Sequence, residues 1–544
     1  MTRYALGLDY GTLSVRALIV DCKTGEEVAE ATYAYPHKVI TETLPGGNRK
    51  LPPEFALQCP ADYTNGTLTV IREVLKTVRG DDIAGIGIDF TACTVLPIKQ
   101  DGTPLCELAE FENNPHAWVK LWKHHAAQPQ ADRINEIAHK RGEKFLAYYS
   151  GIISSEWMLP KCWETLEKAP EVYESADLFI EAGDWIVQQM TGSFSRNACA
   201  AGYKGLWSEE LGNPSEDFLA ALAPKLAGLN SKIIDRIVAA GEEAGTISPA
   251  FAELSGLKVG TPVSGAIIDA HSGVPGMGVS TAGPLCMIMG TSGCHMLPSE
   301  NLHLFKGYAG VVKDGILPGM YGYESGQAAV GDIFGWFAKN FTTVSIDEIE
   351  ELAGRLAPGE SGLVALDWMN GNRSVLMNTN LSGTILGLTL SSTPAEIQRA
   401  LIEATAFGTK IIVDSYIDNK VPVTELVACG GLSQVDVIMQ IFADILELPL
   451  KAASSGQAVA LGSAIFGAVA AGRAHGGFDT VSEAVKKMTK PSARTFTPNP
   501  EASKVYRELF SIYKRCHDIF GKEEPQLMKN LKQIKSCAKG ASHE

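Results

Sequence analysis

Short apolar runs that end in an aspartate recur three times along the chain: Ala5-Leu6-Gly7-Leu8-Asp9, Ile86-Gly87-Ile88-Asp89 and Gly265-Ala266-Ile267-Ile268-Asp269. Runs this short and this uniformly apolar read as strands buried on both faces, with ends that open where α/β proteins place ligands. A single aspartate after a strand is also a common turn or helix-cap residue, so the recurrence, and not any one copy, points to acids converging on sheet ends. A Gly-Thr turn between apolar runs also recurs, in Asp9-Tyr10-Gly11-Thr12-Leu13-Ser14 and in Met289-Gly290-Thr291-Ser292-Gly293. Both predict strand, tight turn, strand, and hence two related halves that each open with a hairpin. The second copy has Ile288 where the first has Asp9, so only the first half is expected to hold a metal.

Helices are predicted over 114–127 and 156–168, both rich in Trp and Lys, and from Thr393, where Pro394 takes the first position and Glu396 completes a capping box. Residues 397, 401, 404, 408, 411 and 412 keep helical spacing after it, which predicts a buried helix. Gly408 costs about 1 kcal/mol of helix propensity relative to Ala, which calls for a close helix contact or a nearby ligand. The run Leu426 to Ser433 reads as a strand ending in Gly430-Gly431 ahead of a helix that contains Gln440 and Asp444. Paired glycines let the backbone approach a flat ring such as adenine, and they serve a plain strand-to-helix turn equally well. Turn formers around 245–262 place a domain boundary there. Beyond Lys522 the chain is Lys-rich and is expected to fray.

At roughly 150 residues per domain, 544 residues make two to four folding units. The 47 basic against 62 acidic residues leave a formal charge of -15, a poor match to nucleic acid or an anionic membrane. The 11 cysteines form no Cys-x-x-Cys pair, so neither a disulfide framework nor a zinc site is indicated and a reducing cytoplasm fits. Residues 270–299 carry no charged side chain, but six Gly and three Pro break any membrane span there. Asp9 and Arg16 interrupt the apolar start before a signal-peptide core forms. A cytoplasmic protein is expected.

The loops typical of P-loop NTPases, dinucleotide folds, serine hydrolases and zincins are absent. The two hairpins offer backbone N–H groups and hydroxyls, which form anion-binding nests; facing each other, they would hold a polyphosphate while Asp9 holds Mg²⁺ through water, which points to ATP. His124 and His125, as helix neighbours, point apart and share no metal; they read as helix-surface or supporting residues. Cys93 has no partner base and reads as a small buried residue.

From Leu6-Gly7-Leu8-Asp9-Tyr10-Gly11-Thr12, through Gly-Thr-Pro-Val-Ser-Gly at 260–265 and Gly290-Thr291-Ser292, to Gly430-Gly431, the chain resembles the FGGY carbohydrate kinases of the actin/hexokinase/Hsp70 superfamily. More specific stretches are Trp122-Lys123-His124-His125-Ala126-Ala127, 318–327 and Leu366-Asp367-Trp368-Met369-Asn370-Gly371-Asn372-Arg373. The resemblance implies an α/β fold of two ribonuclease H-like, actin-like ATPase domains flanking a deep cleft: 1–260 with the sugar site and the metal and phosphate hairpin, 261–522 with the ATP site and catalytic base, and a frayed tail over 523–544. It implies transfer from MgATP to the terminal hydroxyl of a ketopentose, with L-ribulose in L-arabinose degradation as the substrate. D-ribulose, xylulose and ribitol are the alternatives, because hydroxyl stereochemistry is decided by ångström-scale placement. A nucleotide-binding regulator or ATPase of the same fold is the alternative from another class.

By the same resemblance Asp269 is the catalytic base and also contacts substrate, and Asp9 is on the metal side. Ala92, Trp122, Lys204 and Glu324 line the sugar pocket. Thr12, Gly290, Thr291 and Ser292 face the phosphates, and Gly331, Gly431, Leu432 and Asp436 contact the adenosine part. Asp436 departs from the Asn that many members carry. Plainer readings stay open: a salt bridge for Glu324 and Lys204, a core aromatic for Trp122. Water competes with the sugar for the phosphoryl group, so the two domains are expected to close over the ligands, and a homodimer is allowed.

Overall fold

In the computed structural model, residues 3–492 and 494–541 are described. They divide into two compact units: Met1–Thr281 with Val311–Gly322 and Gln457–Pro491, and Ala282–Gly310 with Tyr323–Gly456 and Ser492–Glu544. This partition is not the expected cut between 260 and 261. The turn formers around 245–262 close a strand-helix-strand excursion instead: strand Glu243–Thr246, helix Pro249–Ser255 and strand Pro262–Ser264, with the two strands antiparallel. The helix Ala458–Ala471 returns to the first unit because glycines let it lie directly on the sheet. A Cβ on Gly7 would stand 2.1 Å from the Ala460 carbonyl oxygen, and one on Gly87 1.7 Å from that of Ser463, so the helix seats only where those side chains are missing.

The first unit's main sheet runs Glu243–Thr246, Pro262–Ser264, Ile83–Phe90, Tyr4–Tyr10, Ser14–Asp21, Glu27–Ala34. Tyr4–Tyr10 and Ile83–Phe90 are buried along nearly their whole length, as strands covered on both faces must be. Glu27–Ala34 mixes exposed and half-buried positions, as an edge strand does. Tyr4–Tyr10 is antiparallel to Ser14–Asp21 and parallel to Ile83–Phe90, with Asp9 opposite Asp89. Ile267–Ile268 joins the other side of Ile83–Phe90, Ile267 opposite Asp89.

The second unit repeats this plan. Pro284–Met289 is antiparallel to Gly293–Ser299 and parallel to Glu425–Cys429, in a sheet that continues through Leu450–Ala452 to Thr495–Phe496. The helix Pro394–Asp418 opens with the expected capping box, Thr393 and Glu396 each bonding the other's backbone N–H. A Cβ on its Gly408 would meet Asp367 Oδ2 at 2.5 Å and Gln327 Nε2 at 2.6 Å, so close packing is what requires glycine there.

Two expectations are corrected. Residues 114–127 hold no α-helix: a 3₁₀ turn at Pro115–Ala117 leads into Val119–Lys120, which pairs with Leu57–Gln58. Tertiary pairing has overridden local spacing. The tail past 522 forms a helix over Gln526–Ala541, docked on the second unit by buried Met528 and by Lys532 Nζ, 2.7 Å from the Thr379 carbonyl oxygen and 3.1 Å from that of Leu381. The helix expected over 156–168 begins at Met158. Among the described residues no helix is long and apolar enough to cross a membrane.

Candidate active site

In the first unit the strand register brings the three recurring aspartates together. Asp9 and Asp89 sit side by side on parallel strands, and Asp269 opens the helix Asp269–Gly276 immediately after Ile268. Asp89 is fully buried; its Oδ2 accepts a hydrogen bond from Ser463 Oγ at 2.5 Å, and its carboxyl is also hydrogen-bonded to that of Asp9. Burial, and then the neighbouring Asp9 charge, hold the Asp89 carboxyl well above the usual carboxylate range. Burial also raises Asp9, against the pull of Arg16, whose Nη1 lies 3.6 Å from Asp9 Oδ2. Asp269 is half-buried and accepts from the Ala270 N–H at 2.7 Å.

Thr12 lies in the turn closed by the Gly11 N–H on the Ser14 carbonyl, at 3.0 Å. Its own carbonyl accepts from Gln58 Nε2 at 2.7 Å, and its hydroxyl accepts from Trp122 Nε1 at 3.1 Å. Trp122 is therefore a half-buried, hydrogen-bonded neighbour of the turn and not a core aromatic. Ala92 follows the Ile83–Phe90 strand and borders a small cavity that Glu181, Asp184 and Ile268 also line. Burial pushes the Glu181 carboxyl up to about 7 and holds Asp184 well above the usual range. Lys204, on the helix Ala198–Gly205, is buried with Nζ 5.9 Å from the centre of the Trp157 ring.

Three supports here lie beyond what sequence reasoning found. Lys161 Nζ, fully buried, donates to the carbonyls of Cys93, Leu121 (2.9 Å) and Lys120 (3.3 Å), fastening the residues beside Ala92 and Trp122. Lys120 Nζ is 2.6 Å from Glu164 Oε2, which lies 2.9 Å from His124 Nε2. His124 is thus a buried member of an ion network, not a helix-surface residue. Burial would raise the Glu164 carboxyl, but Lys120 and His124 win and hold it well below the usual range. Cys93 is buried, its thiol pushed up by burial, as a structural cysteine should be. No spacing rule links residues about 40 positions apart, so these pairs were silent in the sequence.

In the second unit Gly290, Thr291 and Ser292 form the turn of the Pro284–Met289 and Gly293–Ser299 hairpin. The N–H groups of Val330 and Gly331 close on it, at 2.8 Å to the Thr291 carbonyl and 3.0 Å to that of Gly290. A Cβ on Gly331 would meet the Gly290 oxygen at 2.7 Å and Leu432 Cδ1 at 3.6 Å, so these three residues are neighbours. Gly431 opens a 3₁₀ turn after Gly430, whose φ of +92° only glycine adopts readily, and its own α-carbon faces open space. Asp436 starts the helix Asp436–Leu446 with its carboxylate gripped by Arg494, whose Nε is 3.1 Å from Oδ1. Arg494 Nη2 also donates to the Ser433 carbonyl at 2.9 Å, fixing this loop. Glu324, buried on the strand Tyr321–Gln327, pairs with Arg373 Nη2 at 2.6 Å. It belongs to the second unit, whereas Ala92, Trp122 and Lys204 belong to the first.

Two α/β units that each carry an antiparallel hairpin with a parallel strand alongside, one with clustered acids and one with a glycine-built turn, define a phosphate-handling class of fold. The chain belongs to the FGGY family of carbohydrate kinases: the family's N-terminal domain matches residues 4–276 and its C-terminal domain residues 285–471. It is 50% identical to a ribulokinase of Halalkalibacterium halodurans over 98% of both chains. It is 48% identical to a ribulokinase of Geobacillus thermodenitrificans over 99% of this chain and 98% of that one. The fold matches the xylulose kinase of Rhodospirillum rubrum, TM-score 0.78 at 22% identity, over 95% of this chain and 99% of that one. It also matches a xylulose kinase of Lactobacillus acidophilus, TM-score 0.80 at 18% identity, over 96% and 100%.

Proposed function

We propose that this protein transfers the terminal phosphoryl group of ATP to the 5-hydroxyl of L-ribulose, a step that yields L-ribulose 5-phosphate in L-arabinose breakdown. The observation that carries this reading is 50% identity to a ribulokinase over nearly the full length of both chains. The side chains described above fit it. A sugar hydroxyl is a weak nucleophile and needs a carboxylate to accept its proton as the bond to phosphorus forms, a contribution of roughly 10² to 10⁴ in rate. Asp269, half-buried at a helix start, takes that role. Ala92, Trp122, Lys204 and Glu324 orient the sugar. Lys204 and Glu324 do so through charge-assisted hydrogen bonds and Trp122 through an apolar wall.

Backbone N–H groups of the Thr12 and Gly290-Thr291-Ser292 turns face the phosphates, as preorganised donors that need no rearrangement when charge develops. Gly331, Gly431, Leu432 and Asp436 hold the adenosine end. The donor set of the first unit suits a hard divalent cation, because the oxygen donors of Asp9 and Asp89 stand side by side at the sheet end. Mg²⁺ held there by Asp9 would neutralise charge on the polyphosphate. Transfer also requires that water be kept from the phosphoryl group while the two substrates meet.

The purified chain, assayed for ATP consumption with L-ribulose, D-ribulose, xylulose and ribitol, should show its highest kcat/KM with L-ribulose. A higher value for another sugar would reassign the substrate. ATP turnover unchanged by any sugar would replace the kinase with an ATPase or nucleotide-binding regulator of this fold.

A further inference from the structure

The lack of a Cys-x-x-Cys pair conceals a different set of metal donors. His37, Cys59 and Asp62 come together in the first unit, with a ring nitrogen, a thiol sulfur and a carboxylate oxygen all within 4.8 Å of one another. The backbone arranges them by three local devices. A turn at Tyr35–Lys38, closed by the Lys38 N–H on the Tyr35 carbonyl at 3.2 Å, presents His37. Paired bonds between Ile40 and Leu57, 2.8 and 3.0 Å, lay that segment beside the residues leading to Cys59. Cys59 then caps the helix Pro60–Val74, which places Asp62 one turn in.

Asp62 already spans the gap: its Oδ1 lies 2.8 Å from His37 Nδ1, and its Oδ2 accepts from the His37 N–H at 3.1 Å. The outer carboxylate oxygen therefore fixes the segment that carries the imidazole, as the supporting bonds of a metal ligand do. His37 is exposed and forms one wall of an open concavity of about 430 Å³ running along residues 39–47, so its ring is reached from solvent.

We infer that these three side chains form a binding site for a thiophilic divalent cation of the Zn²⁺ class, with water as the fourth ligand. One nitrogen, one sulfur and one oxygen ligand suit Zn²⁺ in tetrahedral geometry, whereas Mg²⁺ selects oxygen donors and rejects this set. Charge balances as well: a thiolate and a carboxylate offset the two positive charges, and the Cys59 proton leaves to solvent on loading. The bound ion ties the 37–40 segment to the start of the helix. That start is coupled to the Thr12 turn through Gln58, whose Nε2 is 2.7 Å from the Thr12 carbonyl and whose Oε1 accepts from Tyr63.

Co²⁺ is the probe, because thiolate ligation gives it a charge-transfer band that oxygen and nitrogen ligation alone do not. The full chain titrated with Co²⁺ should develop that band at one equivalent and lose it on addition of Zn²⁺. Cys59→Ser should abolish the band. His37→Ala, at an exposed position where folding is not at stake, should weaken Co²⁺ binding by at least about 10-fold. Absence of the band, its persistence in Cys59→Ser, or an affinity unmoved in His37→Ala would each overturn the site and leave His37 and Asp62 as a simple hydrogen-bonded pair.

Discussion

His295 shows how burial can dominate a titration, outweighing a hydrogen bond to Gln327 that favours the charged ring and helped by the nearby Arg373 charge. It is 1% exposed, with Nε2 3.2 Å from Gln327 Oε1, and burial lowers its pKa to about 4 from an ordinary value of 6.5. The unfolded chain therefore takes up a proton between pH 6.5 and 4 that the folded chain refuses. The stability this neutral histidine permits is fully present above pH 6.5 and is lost as pH falls toward 4, by about 1.4 kcal/mol per pH unit. Glu181 and Glu350, both raised to about 7, contribute in the opposite direction, so the net slope of the protein mixes signs. The difference between the native chain and His295→Gln isolates the histidine. Denaturant unfolding at pH 7 and pH 5 should show a smaller acid loss in His295→Gln, and equal losses would refute the assignment. At this scale the sequence was partly legible. It singled out Asp9 and Asp269 by type and position and Glu324 only through the family resemblance, and it pointed to no partner role for Arg373, Arg494 or Lys161, because a pairing between distant residues leaves no local trace.

Elements were legible wherever the governing physics is local. The capping box at Thr393, the two Gly-Thr hairpins and the strand ending at Gly430 all appear as read, since each depends on a few adjacent residues. The helix expected over 114–127 failed because Val119–Lys120 found a sheet partner some 60 residues earlier, which no periodicity encodes. Gly408 makes the energetics of an element testable. Alanine there gains about 1 kcal/mol of helix propensity. It must also displace Asp367 and Gln327, which are held by bonds of 2.8 Å to each other, 2.7 Å from Tyr513 to Asp367 and 2.8 Å from Thr409 to Gln327. Overpacking of this kind costs about 1–3 kcal/mol, so packing outweighs propensity. Gly408→Ala should unfold at lower denaturant concentration than the native chain; a rise in its midpoint would show that the network yields freely.

For the molecule as a whole, the two-unit plan was visible as internal repetition, while the division between the units was not. The chain enters the second unit at Ala282, and Gln457 begins its return to the first, a route that depends on how tightly Ala458–Ala471 fits glycine-lined strands. Asp269 consequently lies in the first unit with Asp9 and Asp89, and the residues proposed for the nucleotide's adenosine end lie in the second. The chemistry proposed for this arrangement depends on one carboxylate accepting the proton of a sugar hydroxyl. Asp269→Asn keeps the shape of that side chain and removes its basicity. Its kcat with L-ribulose and MgATP, measured beside its nucleotide affinity, should fall by at least about 10² with nucleotide binding retained. Turnover near that of the native chain would remove Asp269 from the role and contradict the account.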